Sequence, residues 1–92
     1  MDTVYRIYTE GSNRDAVIEL VSTKFESFTV HQTTGYFKGH AEQSIVIEIV
    51  DARLEAVEEL ARAIRSMNGQ KSVLVMGLRG EARKIREPGS SD

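Results

Sequence analysis

Apolar and polar side chains alternate most clearly over residues 44–50, which are Ser-Ile-Val-Ile-Glu-Ile-Val. The three isoleucines fall on one side of a strand, and Val46, Glu48 and Val50 fall on the other, because successive side chains of a strand point to opposite faces. A row of β-branched residues suits a pleated surface that packs under another layer. The stretch therefore predicts a strand whose isoleucine side is buried in the core.

A second strand precedes this one and a helix follows it. β-branched and aromatic residues alternate over residues 27–39, and turn signals over residues 39–43 join the two strands as a hairpin. Asp51 has the chemistry of a helix N-cap, and an apolar stripe at helical spacing runs over residues 54–64. Gly69 then predicts the end of that helix.

The beginning and the end of the chain also show strand and helix patterns. Residues 3–10 alternate as a strand, a helix is predicted from Asn13 to Lys24, and residues 72–78 form the last strand. The order is therefore βαββαβ. Right-handed crossovers and short connections arrange these elements as a ferredoxin-like α+β fold, with a four-stranded antiparallel sheet in the order 4-1-3-2 and two helices on one face.

Length and composition fit one small domain. The chain has 92 residues, of which 40% are hydrophobic and 28% charged, which is enough for one core and too little for two. We predict a single domain over residues 1–80, followed by a mobile charged tail over residues 81–92. The absence of cysteine excludes disulfides, thiol nucleophiles and thiolate metal sites.

The charge balance limits the partners, because the formal net charge is only −2. Duplex nucleic acid is bound by neutralising many phosphates, so we expect no general duplex nucleic-acid binding. A small anionic ligand needs only one or two placed cations and remains open. No long apolar segment and no basic leader are recognisable, so we expect no membrane association and a cytoplasmic location.

One face of the predicted sheet has no helix to cover it. Strand parity places apolar side chains on that face, namely Val4, Tyr8, Val46, Val50 and Leu74 or Met76. An apolar patch of this kind on a small protein indicates a protein interface. We therefore predict a homo-oligomer assembled through the uncovered face.

The hairpin carries a distinctive segment, called the hairpin block below, which is Thr34-Gly35-Tyr36-Phe37-Lys38-Gly39. Glycines let backbone amides approach a ligand, the threonine and tyrosine hydroxyls offer hydrogen bonds, an aromatic ring can stack on a base, and Lys38 can neutralise a phosphate. This combination predicts a nucleotide-binding site. A purely structural interpretation has Gly35 in a β-bulge, Gly39 in the hairpin turn, Tyr36 in the core and Lys38 in solvent.

A second cluster follows from the strand order, which sets strand three between strands one and two. Arg6, Glu48 and His31 then form a lateral row on the uncovered face. A histidine oriented by a carboxylate beside an arginine suits acid–base chemistry on a phosphoester, so these three would be the catalytic residues of an enzyme. The simpler interpretation is a cross-strand ion pair of Arg6 and Glu48, flanked by His31. His40 and Glu42 are too few for a metal site, so no metal or other cofactor is predicted.

Four stretches carry a resemblance to known proteins: residues 28–30, the hairpin block, residues 42–49 and residues 70–75. Together they resemble a small family of uncharacterised phage and bacterial proteins over residues 3–78. That family commonly has Tyr-Trp-Lys-Gly where this chain has Phe37 in place of the tryptophan. The architecture is also similar to trimeric nitrogen-regulatory proteins of the PII type. This resemblance implies nucleotide binding between subunits by the long hairpin of the second and third strands.

Three functions are consistent with these observations. The first, our working hypothesis, is a non-enzymatic homo-oligomer that binds a nucleotide at the hairpin block and, in a phage, sequesters a nucleotide signal of host defence. The second is a small phosphodiesterase or nuclease that uses His31, Glu48 and Arg6 at a dimer interface. The third is an interaction module that blocks a host protein through the uncovered face. Mass spectrometry of released small molecules separates them, because only the first returns an intact ligand.

Overall fold

The computed structural model describes residues 2–80 and residue 88 of the chain. Its elements, in chain order, are β1 (Asp2–Glu10), α1 (Arg14–Lys24), β2 (Thr29–Phe37), β3 (His40–Val50), α2 (Leu54–Asn68) and β4 (Leu74–Gly80). The predicted tail lies outside the described residues apart from Pro88. Within the described part, neither helix has the length and hydropathy needed to cross a membrane.

The four strands form one antiparallel sheet in the order β2-β3-β1-β4. This confirms the predicted βαββαβ ferredoxin-like fold, since the order is 4-1-3-2 when read from the other edge. Several strand boundaries differ from the prediction. β4 begins at Leu74 rather than Ser72, and β3 begins at His40, so the turn is much shorter than the predicted 39–43 segment.

The core lies between the helices and one face of the sheet. The isoleucine side of β3 is fully buried, as predicted, and so is Ile7 of β1 opposite Ile47. Helices contribute Val17 and Val21 from α1 and Val57, Leu60, Ala61 and Ile64 from α2. Each fully buried aliphatic side chain contributes about 1.5–3 kcal/mol relative to exposure, so this layer stabilises the whole sheet.

The opposite side of the sheet, called the open face below, carries no helix. Register places the following side chains there: Val4, Arg6, Tyr8 and Glu10 of β1; Thr29, His31 and Thr33 of β2; Ser44, Val46, Glu48 and Val50 of β3; and Leu74, Met76 and Leu78 of β4. Leu74 is 57% exposed, whereas Val46 is only 7% exposed. Val46 was expected to be exposed, but it is buried between its register partners Tyr8 and His31 on the same face.

The helix starts correct a second prediction. Asp51 is not the N-cap of α2: its backbone is left-handed (φ 64°), its amide donates to the carbonyl of Thr3 at 3.2 Å, and Arg53 occupies the N-cap position. Gly69 does end α2 as predicted, with φ 65° and its amide bonded to the last turn. Asp51 therefore continues the pairing of the two central strands beyond Val50 and does not cap the helix.

The hairpin of β2 and β3 projects beyond the rest of the sheet. β1 pairs with β3 only as far as Ser44, while β2 and β3 stay paired out to Phe37 and His40. The outer part is therefore a two-stranded ribbon, and the molecule is elongated, measuring 49 × 26 × 24 Å. The ribbon carries the hairpin block.

Candidate functional site

The tip of the hairpin is a two-residue turn made by Lys38 and Gly39. Their φ angles are 49° and 80°, and Phe37 pairs with His40 on either side of them. Two consecutive positive φ angles belong to a type I′ turn, which matches the twist of the strands and favours Asn or Gly. Gly39 fits this rule, as predicted from the sequence, whereas Lys38 holds a left-handed conformation that costs an L-residue free energy.

The hairpin block divides between the two faces of the ribbon. Thr34 and Tyr36 share the parity of the buried isoleucines and point to the helix side, whereas Phe37 points to the open face. Tyr36 is 76% exposed and Phe37 is 63% exposed, so the alternative that placed Tyr36 in the core is wrong. Gly35 pairs with Glu42 in unbroken register, so no bulge occurs there. The ribbon thus displays one bare aromatic ring on each side.

A small cavity, called the root cavity below, lies where the ribbon leaves the sheet. It has a volume of about 180 Å³ and is lined by Gly11, Gln32, Thr33, Thr34, Gln43, Ser44 and Ile45. The amide of Gly11 donates to the carbonyl of Gln43 at 3.0 Å, which ties the β1–α1 connection to the ribbon. Amide and hydroxyl side chains dominate the lining, so the cavity offers both donors and acceptors without a formal charge.

Sequence analysis missed the two glutamines of this cavity. Gln32 shares the parity of Thr34, and Gln43 is the register partner of Thr34, so both belong to the same surface as the threonine of the hairpin block. Strand alternation together with the register would have placed both glutamines beside Thr34. Uncharged polar side chains belong to no recognised binding motif, and the sequence alone therefore did not draw attention to them.

Lys38 does not lie over the helix-side surface. Its Nζ atom is 5.4 Å from the centroid of the Phe37 ring, which is a cation–π distance on the opposite side of the ribbon from Tyr36. The six residues of the hairpin block therefore do not converge on one point. Thr34 and Tyr36 form one surface with the root cavity, and Lys38 sits at the tip with its ammonium over the Phe37 ring.

The structure brings Arg6, Glu48 and His31 together on the open face. Arg6 Nε donates to Glu48 Oε1 at 3.4 Å, and His31 Nε2 lies 3.4 Å from Glu48 Oε2. Arg6 and Glu48 are register partners, while His31 is diagonal to Glu48. The pKa of Arg6 is raised above its ordinary value, mainly by a side-chain hydrogen bond with Tyr8. Desolvation lowers this pKa, and the nearby carboxylate of Glu48 raises it further.

A shallow cavity of about 340 Å³ lies beside this row. It is lined by Arg6, Tyr8, His31, Gln32, Thr33 and Val46. The hydroxyl of Thr33 is held by that of Ser44 at 2.7 Å. Here a guanidinium, a phenol and an imidazole surround an apolar floor, which suits contact with an oxyanion or orientation of a proton-transfer group. Glu48 serves both Arg6 and His31, and so it neutralises part of the positive charge.

The two clusters are separate sites. Phe37 and His31 lie on the same face of β2, six residues apart, which corresponds to roughly 20 Å of strand. One mononucleotide cannot contact the hairpin tip and the Arg6–Glu48–His31 row of one subunit together. As for metals, His40 and Glu42 share a face of β3, but no group of three metal-ligating His, Cys, Asp or Glu residues forms within the described residues.

No family model matches the chain, and no curated protein matches it. Solved structures do match. A DUF3240 family protein from Shewanella baltica superposes with a TM-score of 0.69 at 8% sequence identity, covering 94% of this chain and 97% of that chain.

Two further structures contain bound nucleotides. CPII, a PII-like protein from Thiomonas intermedia K12 solved with ADP, AMP and bicarbonate, has a TM-score of 0.63 at 17% identity and covers 91% of this chain and 96% of that one. The GlnK–ATP complex of B. subtilis has a TM-score of 0.56 at 20% identity, covering 84% and 81%. At these identities the likeness shows the fold alone, which is the βαββαβ ferredoxin-like fold that this chain shares with them.

Proposed function

We propose that this chain is a non-enzymatic nucleotide-binding protein that works as a homo-oligomer, with its ligand on the helix side of the projecting hairpin. The observation that carries the proposal is the bare ribbon: Tyr36 is three-quarters exposed on a two-stranded projection that no part of the described chain covers. An isolated two-stranded ribbon is only marginally stable. An exposed tyrosine at its end therefore fits a contact made with a ligand or a second subunit.

The chemistry along this surface matches the parts of a nucleotide. The root cavity supplies the amides of Gln32 and Gln43 and the hydroxyl of Thr34, which can bond to the edge of a base. Tyr36 supplies an aromatic face for stacking. From Thr34 to Lys38 the strand extends roughly 13 Å, a span that suits a base at one end and phosphates at the other.

Lys38 lowers the stability of the turn, so its presence needs an explanation. A left-handed turn position favours asparagine or glycine, and a non-glycine residue there costs about 1–2 kcal/mol. Strained positions of this kind cluster at ligand contacts. A lysine at φ 49° is understandable if its charge contacts a phosphate. Two proteins of the same fold, CPII and GlnK, bind adenine nucleotides, which also supports the proposal of a nucleotide ligand.

Assembly is the second part of the proposal. The open face exposes Val50, Leu74, Met76 and Leu78, and such a surface on a small protein fits an interface. A second copy that covers it also brings a second hairpin close to the first. In a phage-encoded protein, retention of an intact nucleotide would serve to sequester a signal of host defence.

Calorimetric titration with ATP, ADP, AMP and inorganic phosphate tests the proposal. We expect one of the nucleotides to bind and inorganic phosphate alone not to bind. Lys38→Ala should weaken that binding, whereas Lys71→Ala, an exposed lysine in the connection before β4, should leave it unchanged. If no nucleotide binds and none is released from the protein on heating, the proposal is wrong.

A phosphodiesterase is the second candidate, and the contacts around Glu48 favour it. The carboxylate lies 3.4 Å from His31 Nε2 and holds Arg6 beside it, an arrangement that could orient the histidine for proton transfer. Turnover of a model phosphodiester that disappears in His31→Ala would support this candidate. Retention of an intact nucleotide by the wild-type protein and by His31→Ala alike would support the binding function instead.

A further inference from the structure

We infer that Asn68 is a site of spontaneous deamidation, and that hydrogen bonds to its side chain control the rate of the reaction. The inference is independent of nucleotide binding and of assembly. It concerns the end of α2, where Asn68 is the last helical residue and Gly69 follows in a left-handed conformation (φ 65°). The chain contains one other asparagine, Asn13, which is followed by Arg14.

An asparagine that precedes a glycine is especially prone to lose its side-chain amide. The backbone nitrogen of the glycine attacks the side-chain carbonyl carbon, the bond from that carbon to the amide nitrogen breaks, and ammonia leaves with the proton of the attacking nitrogen. Water then opens the cyclic imide at either carbonyl, which yields aspartate or isoaspartate. Gly69 has no side chain to obstruct this attack, whereas the side chain of Arg14 obstructs it at Asn13.

Three polar side chains hold the Asn68 amide in the folded chain. Asn68 Nδ2 donates to Thr9 Oγ1 at 3.3 Å and to Gln70 Oε1 at 3.0 Å. Asn13 Nδ2 donates to Asn68 Oδ1 at 3.1 Å, and the Thr9 hydroxyl also donates to Gln70 Oε1. These four residues are called the Asn68 network below. Thr9 is only 4% exposed, so the network lies partly out of contact with water.

Both reacting groups are therefore occupied in the folded chain. The side-chain amide is fixed by the network, and the N–H of Gly69 is donated to the carbonyl of Ser66 at 3.2 Å. Attack requires the amide to leave the network and the last turn of α2 to open. Because a helix end opens far more readily than the whole fold, local opening sets the rate of deamidation.

Deamidation removes the donor on which the network depends. A carboxylate at position 68 has acceptor oxygens and no Nδ2 donor, so it faces Gln70 Oε1 acceptor to acceptor. The Gln70 amide is not free to turn over, because its Nε2 donates to the carbonyl of Ser72 at 3.4 Å. The new negative charge also lies at a helix C-terminus, where the helix dipole disfavours it. The modified chain should therefore lose the contact between α2 and the β1–α1 connection.

Peptide mapping of the wild-type protein after incubation at neutral pH tests the inference. Trypsin releases residues 66–71 as one peptide, and fragment spectra distinguish a product at Asn68 from one at Gln70. The folded chain should react roughly 10- to 1,000-fold more slowly than the chain unfolded in urea, because three side-chain hydrogen bonds must break first. The peptide of residues 7–14, which contains Asn13, should stay unmodified over the same interval.

Variants of Thr9 test whether the network is the barrier. Thr9→Val removes a hydroxyl from the network and keeps the shape of the side chain, so deamidation of the folded chain should accelerate roughly 5- to 150-fold. Thr9→Ser keeps the hydroxyl and should react at close to the wild-type rate. Ile47→Val is the matched control, because it lowers the stability of the whole fold at a fully buried site outside the network. Its deamidation rate should equal that of the wild type.

Three results would overturn the inference. Equal rates in the folded and unfolded wild-type chain would show that the network does not protect Asn68. Equal acceleration in Ile47→Val and Thr9→Val would show that the reaction passes through global unfolding. If neither the folded wild type nor folded Thr9→Val forms product while the unfolded chain reacts completely, the folded protein is not deamidated at this site. Nucleotide titration and the mass of the assembly test the proposed function separately.

Discussion

Replacing Lys38 by asparagine should raise stability and lower nucleotide affinity. The backbone at this position is left-handed, and Asn-Gly is a preferred pair for a type I′ turn. We assign about 1 kcal/mol of stabilisation to relief of the left-handed lysine. The change also removes the cation–π contact at 5.4 Å from the Phe37 ring, which costs about 0.5 kcal/mol at an exposed site.

The net stabilisation is therefore about 0.5 kcal/mol, which corresponds to a rise of about 2–4 °C in melting temperature for a domain of this size. A charge-assisted contact to phosphate contributes about 1.5–3 kcal/mol, so affinity should fall roughly 10- to 150-fold. Calorimetric unfolding without ligand and titration with nucleotide measure the two effects. Lys71→Asn serves as the control for a lysine lost elsewhere. A lower melting temperature, or unchanged affinity, would refute the reasoning.

The remaining predictions concern the fold that holds the site. Ile47→Ala should lower the free energy of unfolding by about 2–5 kcal/mol in urea, because the side chain is fully buried at the centre of the sheet; a loss below that of Ile47→Val would contradict it. Gly39→Ala should cost about 1 kcal/mol, since φ is 80° there. Thr9→Val should lower the free energy of unfolding by about 1–3 kcal/mol, because Asn68 and Gln70 lose their hydrogen bonds to the Thr9 hydroxyl. An unchanged melting curve would show that these two hydrogen bonds are dispensable. Removal of residues 83–92 should leave the melting temperature unchanged, and a large fall would extend the domain.

The sequence was sufficient for the architecture because its alternation is strong where burial is one-sided. The isoleucines of β3 and the stripe of α2 are both fully buried, and Gly69 ends the helix as its chemistry requires. Asp51 was assigned wrongly because its amide is bonded to Thr3, across the sheet. A contact between residues so far apart in the chain cannot be read from local capping rules.

Tyr36 shows why exposure was harder to predict than parity. Its side of the strand was assigned correctly, but the alternative that it is buried assumed that the helices extend as far as the strands. The 11 residues of α1 cover about 17 Å, whereas the 11 residues of β3 extend about 37 Å. Strand and helix lengths in the sequence thus already implied a ribbon without a helical layer.

Fold likeness does not identify the ligand, because one fold serves many functions. Residues outside the core are more informative about function where they lower the stability or solubility of the fold. Lys38 is left-handed, Tyr36 stands in solvent, and Arg6 with Glu48 interrupts an apolar surface. Local rules are broken mainly where function requires it. These costs occur at two places, the hairpin tip and the centre of the open face, which lie eight residues apart along β3, or roughly 26 Å. The residues proposed for binding are therefore distinct from those proposed for assembly, and we expect a variant at either place to affect mainly one of the two properties.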